Sequence, residues 1–204
     1  MNRPVALIPL ALLLAAVAAG LLWHFGDVRS QKGVVSVATG EAVNIGGPFS
    51  LIDQNGTHRT EKDFSGKYML VFFGYTFCPD VCPTTLSVIS AALDKVGPDA
   101  EKIVPIFISV DPKRDRPEVL KPYLAAFGPR FVGLTGTDQE VADAAKAYRV
   151  YYQAHAEEGE NYAVDHSGVV YLMSPSGQFL ANYSLETSPD AMAADLKKHL
   201  LAAR

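Results

Sequence analysis

The sequence predicts an α/β domain that follows an N-terminal membrane segment. Two patterns predict the α/β class. Strand-like and helix-like segments alternate from Pro48 onward, and two continuous apolar runs are typical of strands buried on both faces of a sheet. A third pattern, an uncharged apolar stretch from Val5 to Trp23, predicts the membrane segment.

Length and composition limit the possible classes of protein. The chain has 204 residues, which is room for one ordinary domain and a short extension. Its 18 basic and 22 acidic residues give a net charge of −4, so no nucleic-acid partner is expected. Two cysteines exclude a fold stapled by several disulfides and any four-cysteine zinc or iron–sulfur site.

The N-terminal segment is predicted to be an uncleaved membrane anchor, residues 1–25. As a helix, Val5–Trp23 would be about 28 Å long, close to the ~30 Å hydrocarbon core of a bilayer. The alternative is a cleaved signal peptide, since Ala16-Val17-Ala18 has the small-x-small form of a cleavage site. Apolar residues continue beyond that site to Phe25, which favours the anchor.

Either alternative exports the rest of the chain. The predicted location is therefore a bacterial-type inner membrane, crossed once, with the soluble domain in the periplasm or on the equivalent intermembrane-space side. Thiols are readily oxidised in such compartments. The interval 26–47 is polar and contains glycine, so it is predicted to be a tether with one β-like patch at Val34–Val37, and the domain is assigned to residues 48–204.

The domain is predicted to begin with a hairpin and a buried strand. Asn55-Gly56 is a strong turn signal, and it lies between two strand-like segments. The continuous apolar runs account for two central strands. In chain order, the predicted strands are Phe49–Asp53, Thr57–Thr60, Tyr68–Phe73, Ile103–Val110, Phe131–Leu134, Gly168–Met173 and Gln178–Ser184.

Four segments have helical signals. Apolar residues three and four apart predict a helix over Thr84–Val96, which the following Gly97-Pro98 would end. Ser188 as N-cap and Pro189 in the first turn predict a final helix to about Ala202. The other two predicted helices are Pro117–Phe127 and Asp138–Tyr148.

Cys78 and Cys82 are the strongest candidates for chemistry. They lie between a predicted buried strand and a predicted helix, where α/β sheets bind ligands and where the helix dipole lowers the pKa of a thiol. The alternative is that both are buried apolar residues. Their spacing of four in a turn with two prolines and an aspartate argues against it.

The spacing of the cysteines favours a loop that can change its geometry. Residues four apart on a regular helix have Cβ atoms about 5–6 Å apart, whereas a disulfide needs roughly 3.8 Å. Pro79 and Pro83 discourage helical geometry at the cysteine before each of them. Such a loop could close a disulfide or open around a metal, and two thiolates without a carboxylate cluster select a soft ion such as Cu(I).

A third metal ligand is sought among five histidines. Four of them have simple structural explanations: His24, His58, His155 and His199. His166 differs because it stands just before the predicted strand Val169–Met173, where it could face the end of a neighbouring strand. From spacing alone, a surface histidine is as good an interpretation as a ligand.

Two sets of motifs carry a family resemblance. The first set is Phe49–Asp53 with Gly56, Phe64–Lys67, the strand and the cysteine loop, and it resembles the thioredoxin/peroxiredoxin superfamily. The second set is Gly74–Pro83, Ser109–Pro112 with Arg116-Pro117, and Asp165–Ser167. Within that superfamily it resembles the Sco (SenC-like) copper chaperones, and the match runs from about Pro48 to Leu201.

The resemblance implies a thioredoxin-like fold with an N-terminal hairpin extension and a copper ion bound by Cys78, Cys82 and His166. It also implies a disulfide between the two cysteines in the oxidised form. The implied role is assembly of the dicopper centre of cytochrome c oxidase subunit II, with an unidentified reductant and copper donor. Tyr75 and Phe77 are expected to shield the site, and no role is assigned to Asp80 and Asp111.

Two alternatives remain besides copper delivery. The first is a membrane-tethered thiol–disulfide reductase, since the same thiolates can bind metal or attack a disulfide. A reductase does not need His166, so we expect a delivery protein and no enzyme, with thiol exchange at most an ancillary activity. The second is a peroxiredoxin, which Thr76-Phe77-Cys78 suggests, although a second cysteine so close is unusual there. The three-residue spacer and the lack of a proline before Val169 differ from thioredoxin itself.

Overall fold

The structure is a computed structural model. It describes the backbone of Val34–Ser36 and residues 45–155, 159 and 161–202. The predicted anchor Val5–Trp23 lies outside these residues. Among the residues described, no helix has the length and apolar character needed to cross a bilayer.

The described residues form ten strands, four α-helices and two short 3₁₀ segments. The strands are β1 Val34–Ser36, β2 Ser50–Asp53, β3 His58–Thr60, β4 Tyr68–Gly74, β5 Ile103–Ser109, β6 Val132–Thr135, β7 Tyr152–Ala154, β8 Val164–His166, β9 Val169–Met173 and β10 Phe179–Ser184. The helices are α1 Val81–Val96, α2 Pro117–Ala125, α3 Asp138–Ala147 and α4 Pro189–Ala202. The 3₁₀ segments are Glu61–Phe64 and Gly97–Lys102.

An eight-stranded mixed sheet organises the domain. Its strand order is β1-β10-β9-β4-β5-β6-β2-β3, and β7 and β8 form a separate antiparallel pair. β4 and β5 run parallel at the centre, and every residue of β4 is buried. This explains the unbroken apolar sequence of β4, because side chains on both faces of the strand are covered. Helices α1 and α4 pack together, α2 contacts β6 and α3 contacts β2.

The predicted α/β class is confirmed, and every predicted helix and strand has a counterpart among the described elements. Most boundaries differ by one or two residues. The largest difference concerns the site, because α1 begins at Val81 and not at Thr84 and therefore includes Cys82. Pro83 does not prevent this, since it lies in the first turn, where a backbone N–H has no partner within the helix.

Two features of the sheet differ from the sequence prediction. Val34–Ser36, within the predicted tether, pairs with β10 as an edge strand, so that stretch is not a free linker. The short β7–β8 pair was not predicted. Strands β7 and β8 are short and lie nine residues apart, so no tight-turn signal such as Asn55-Gly56 marks them as a hairpin. His166 therefore ends a strand of its own and does not merely precede β9.

Candidate metal centre

The two cysteines lie on the loop and first helical turn that follow β4. Strand β4 ends at Gly74, and α1 starts at Val81. Cys82 is fully buried, while Cys78 is half-buried. The backbone N–H of Cys82 points toward the sulfur of Cys78, with 3.4 Å between nitrogen and Sγ. The pair therefore has one sulfur in the core and one near the surface.

His166 approaches the cysteines from strand β8. Its Nε2 lies 3.4 Å from Sγ of Cys82, and its Nδ1 lies 3.3 Å from the carbonyl oxygen of Ser167. A carbonyl oxygen only accepts hydrogen bonds, so this contact places the proton of a neutral imidazole on Nδ1. The lone pair of Nε2 is then directed toward the cysteines, which suits a metal ligand.

The three ligand atoms fit a single ion. The two sulfurs and an imidazole nitrogen all lie within 4.8 Å of one another. Two sulfurs that share one metal at about 2.3 Å are roughly 3.7–4 Å apart, so only a small adjustment is needed. Two thiolates and one imidazole form a soft donor set that suits Cu(I) or Zn(II) far better than Mg²⁺ or Ca²⁺.

Burial controls the protonation of the site before metal enters. Burial raises the pKa of the Cys82 thiol, and the neighbouring Cys78 adds to that effect. The expected lowering by the helix dipole is therefore wrong for Cys82, because desolvation of the thiolate outweighs it. Burial also lowers the pKa of His166, which keeps its imidazole neutral.

Gly74 allows Cys82 to pack against the end of β4. A Cβ atom at this position would lie 2.8 Å from Sγ of Cys82 and 2.8 Å from Cε2 of Phe107. Those distances are well inside normal contact, so any side chain would displace the sulfur or the ring. In the sequence, the only sign of this close approach is that a glycine, Gly74, directly follows the apolar run Tyr68–Phe73.

Asp115 connects the loop that contains Cys78 with the end of strand β5 by hydrogen bonds. Its fully buried carboxylate accepts hydrogen bonds from the backbone N–H of Thr76 at 2.9 Å and from the Thr76 hydroxyl at 2.5 Å. It also accepts one from the Ser109 hydroxyl at 2.6 Å. No local pattern indicated this role, because 39 residues separate Asp115 from Thr76.

The aromatic neighbours of the site differ in exposure. Tyr75 is buried and meets the His166 ring edge-on at 5.8 Å between centroids, so its predicted shielding role is confirmed. Phe77 is 51% exposed, and the same prediction is wrong for it. Its ring lies beside Arg114, with 4.9 Å between the guanidinium carbon and the ring centroid.

Among the described residues, the remaining candidates do not belong to the group of three ligand atoms. Asp80 is the N-cap residue of α1. Asp111 is buried and accepts a hydrogen bond from the hydroxyl of Tyr162, which precedes β8. Nε2 of His155 lies 2.9 Å from Oδ2 of Asp165, and Nε2 of His199 lies 3.5 Å from Oδ2 of Asp195 on α4. In the part of the chain that the structure describes, His166 is the histidine that joins the cysteines.

The fold and the site together define a thioredoxin-like domain in which two cysteines and a histidine form a group that could hold a soft metal ion. Residues 37–201 match the family described as SCO1/SenC. The chain is 39% identical over 198 residues to a mitochondrial SCO1 homologue of Arabidopsis thaliana, which covers 92% of this chain. The chain belongs to the SCO1/SenC family.

Solved structures of the family agree with the fold. Bradyrhizobium japonicum ScoI with copper bound has 48% identity and a TM-score of 0.71, covering 76% of this chain and 98% of that one. BsSco, described as a cytochrome c oxidase assembly protein with a disulfide switch, has 26% identity and a TM-score of 0.63, covering 78% of this chain and 96% of that one. The chain spans 59% of the Arabidopsis relative and 53% of a human mitochondrial SCO1 homologue.

Proposed function

We propose that this protein is a copper chaperone that carries copper on Cys78, Cys82 and His166. It would deliver the ion to the dicopper centre of cytochrome c oxidase subunit II. The observation that carries the proposal is the soft donor set, whose three atoms lie within 4.8 Å of one another. Copper in the similar ScoI structure, and the description of BsSco as an oxidase assembly protein, support the choice of metal and acceptor.

The unequal burial of the ligands suits transfer by ligand exchange. Cys82 is fully buried, whereas Cys78 is half-buried. An incoming thiolate or imidazole of the acceptor would first replace the more accessible Cys78 sulfur. The ion would leave Cys82 and His166 once the acceptor supplies further ligands.

Exposed apolar side chains near the ligands support docking of the acceptor. Four large apolar side chains are markedly exposed among the described residues, and three adjoin the site: Phe77, Tyr151 and Leu185. Phe77 precedes Cys78, the backbone of Tyr151 accepts from Ser167 beside His166, and Leu185 lies at Gly168. Apolar surface that borders a transfer site is typical of a protein–protein contact.

The same cysteines provide a redox gate for copper. We propose that oxidation joins Cys78 to Cys82 in a disulfide, with loss of two protons and two electrons to an external thiol oxidant. Both sulfur ligands are consumed by that bond, so the oxidised form would release copper. The disulfide switch described for BsSco supports this proposal.

A thiol–disulfide reductase is the second candidate function. The cysteine pair at the start of α1 favours it, since a half-buried Cys78 could attack a disulfide of an exported protein. The approach of His166 to Cys82 favours copper delivery instead, because thiol exchange does not require an imidazole ligand. The raised pKa of Cys82 also makes that residue a poor attacking thiolate at neutral pH.

Transfer of copper to the acceptor tests the proposed function. The copper-loaded full-length protein should pass copper to the apo dicopper domain of subunit II, measured by the acceptor's charge-transfer absorption. The Cys78→Ser/Cys82→Ser variant should pass none. His166→Ala should lose delivery yet still reduce a model disulfide. Equal disulfide reduction by wild type and His166→Ala, with no copper transfer by either, would favour the reductase.

We also propose that residues 1–25 anchor the protein in a membrane with residues 48–204 on the outer side. Confinement near a membrane-bound oxidase would raise the effective concentration of the donor. The full-length protein should therefore resist carbonate extraction and keep its amino terminus. N-terminal sequencing that starts near Ala19 would show cleavage of a signal peptide and contradict the anchor.

A further inference from the structure

The side chain of Arg114 lies where three segments of the domain meet. Its guanidinium forms an ion pair with Asp111, which lies two residues after the end of strand β5. The guanidinium carbon lies 3.6 Å from the ring centroid of Tyr162, 4.9 Å from that of Phe77 and 5.7 Å from that of Tyr75. Arg114 therefore contacts the cysteine loop on one side and the segment that leads into β8 on the other.

A hydrogen bond completes the contact with that segment. The Tyr162 hydroxyl donates to Oδ1 of Asp111 at 2.6 Å, while Oδ2 of the same carboxylate faces Arg114. Tyr162 and Asp111 are both buried. Cation–π contacts are stronger when the groups are desolvated, so this cluster should hold Tyr162 tightly against Arg114 and Asp111.

The cluster of Arg114, Asp111 and Tyr162 is close to His166 both in sequence and in space. Tyr162 precedes His166 by four residues, in the segment that leads into β8. The Tyr75 ring meets the His166 imidazole edge-on. Arg114 thus contacts Tyr75, whose ring packs on the imidazole, and Tyr162, which lies in the segment leading to His166. The other ring on the imidazole is Phe72 of β4, which Arg114 is not shown to contact.

We propose that Arg114 is a positioning residue that holds His166 against the two cysteines and so determines whether copper has a third protein ligand. This inference rests on the ligand set of the proposed function. Arginine suits the task because its planar guanidinium can stack on a ring while its edge binds a carboxylate. A lysine retains the charge but not the stacking geometry, which separates positioning from simple charge effects.

Copper affinity of the full-length protein tests the proposal. Arg114→Met and Arg114→Lys should each weaken Cu(I) binding about tenfold, equivalent to about 1.4 kcal/mol. Arg116→Met is the matched control, since the Arg116 side chain is 68% exposed and forms a surface ion pair with the exposed Glu118. The control should bind copper as wild type does.

A double-mutant cycle with His166→Ala distinguishes positioning from general loosening. If Arg114 acts through the imidazole, Arg114→Met should have no further effect on copper affinity in the His166→Ala background. An additional tenfold loss in that background would overturn the proposal, because Arg114 would then act on the cysteines. Unchanged affinity of Arg114→Met in the wild-type background would overturn it as well.

A metal-free measurement separates this proposal from the proposed function. In the reduced apo protein, the imidazole NMR signals of His166 should shift and broaden in Arg114→Met and stay unchanged in Arg116→Met. If Arg114→Met does not fold, Tyr162→Phe removes only the hydroxyl bond to Asp111 and should give the same changes in a smaller measure. Sharp wild-type imidazole signals in the folded variants would refute the positioning role, whatever the protein does with copper.

Discussion

Replacing Cys82 or Cys78 by serine is expected to abolish tight copper binding by the full-length protein. Each substitution removes one of two thiolates, and a hydroxyl is a poor ligand for a soft ion. Alanine at His166 leaves both sulfurs, so binding should persist but weaken on the order of 100-fold. The measurement is anaerobic Cu(I) competition against a chromophoric chelator, with the free-thiol count recorded for each sample.

Two controls make the result specific. His199→Ala removes a histidine of α4 that lies outside the ligand cluster and should leave copper affinity unchanged. Circular dichroism should show that the cysteine variants remain folded, which matters most for the buried Cys82. Wild-type copper affinity in the Cys78→Ser/Cys82→Ser protein would contradict the assigned ligand set.

Oxidised wild-type protein should behave like the cysteine variants. A mild thiol oxidant would join Cys78 and Cys82, and the product should bind no copper until it is reduced. Mass spectrometry after alkylation of the denatured protein reports the change directly, because only a disulfide then protects both sulfurs from iodoacetamide. Complete alkylation of both cysteines after such treatment would contradict the redox gate.

The central part of the fold was predictable because its signals are local. The apolar run of β4 and the helical spacing after Thr84 reflect burial of those segments alone. The β7–β8 pair was missed since each strand has three residues and is half exposed. The pairing of Val34–Ser36 with β10 joins segments almost 150 residues apart, which periodicity does not reveal.

In the candidate site too, the residues with local sequence signals were predictable and those that act through long-range contacts were not. The cysteine pair was evident from its spacing and its place between a strand and a helix. The role of His166 depended on family resemblance, because its approach to Cys82 is a contact over 84 residues. The contacts of Asp115 and Arg114 were not foreseen at all, since each side chain acts on segments far away in sequence.

Removal of the Asp115 carboxylate is expected to destabilise the domain more than any surface substitution. Asp115→Ala would leave the backbone N–H of Thr76 and the hydroxyls of Thr76 and Ser109 without their acceptor. An unpaired buried polar group costs about 1–3 kcal/mol, and the two groups of the half-buried Thr76 lie at the low end of that range because water can reach them. A loss of about 3–5 kcal/mol in the free energy of unfolding is therefore expected. Urea denaturation of the reduced apo protein measures it.

Asp115→Asn is the matched control for the hydrogen bonds. An amide oxygen in place of Oδ2 can accept from the backbone of Thr76 and from Ser109. The amide NH₂ can donate to the Thr76 hydroxyl after that hydroxyl rotates. The stability of Asp115→Asn should therefore lie within about 1 kcal/mol of wild type. Equal losses for alanine and asparagine would show that the negative charge, and not the hydrogen-bond network, holds the loop.

The pH dependence of stability, compared between wild type and Asp115→Asn, isolates the effect of the Asp115 charge. Burial raises the pKa of Asp115 above its usual value of 3.8, although the hydrogen bonds from Ser109 and Thr76 oppose the shift. As pH rises past 3.8, the carboxyl ionises first in the unfolded chain, so wild-type stability declines until the pH exceeds the folded-state pKa. Asparagine does not titrate, and its stability relative to wild type should increase over that interval. A stability difference between the two proteins that stays constant with pH would show that the folded-state pKa of Asp115 is not raised.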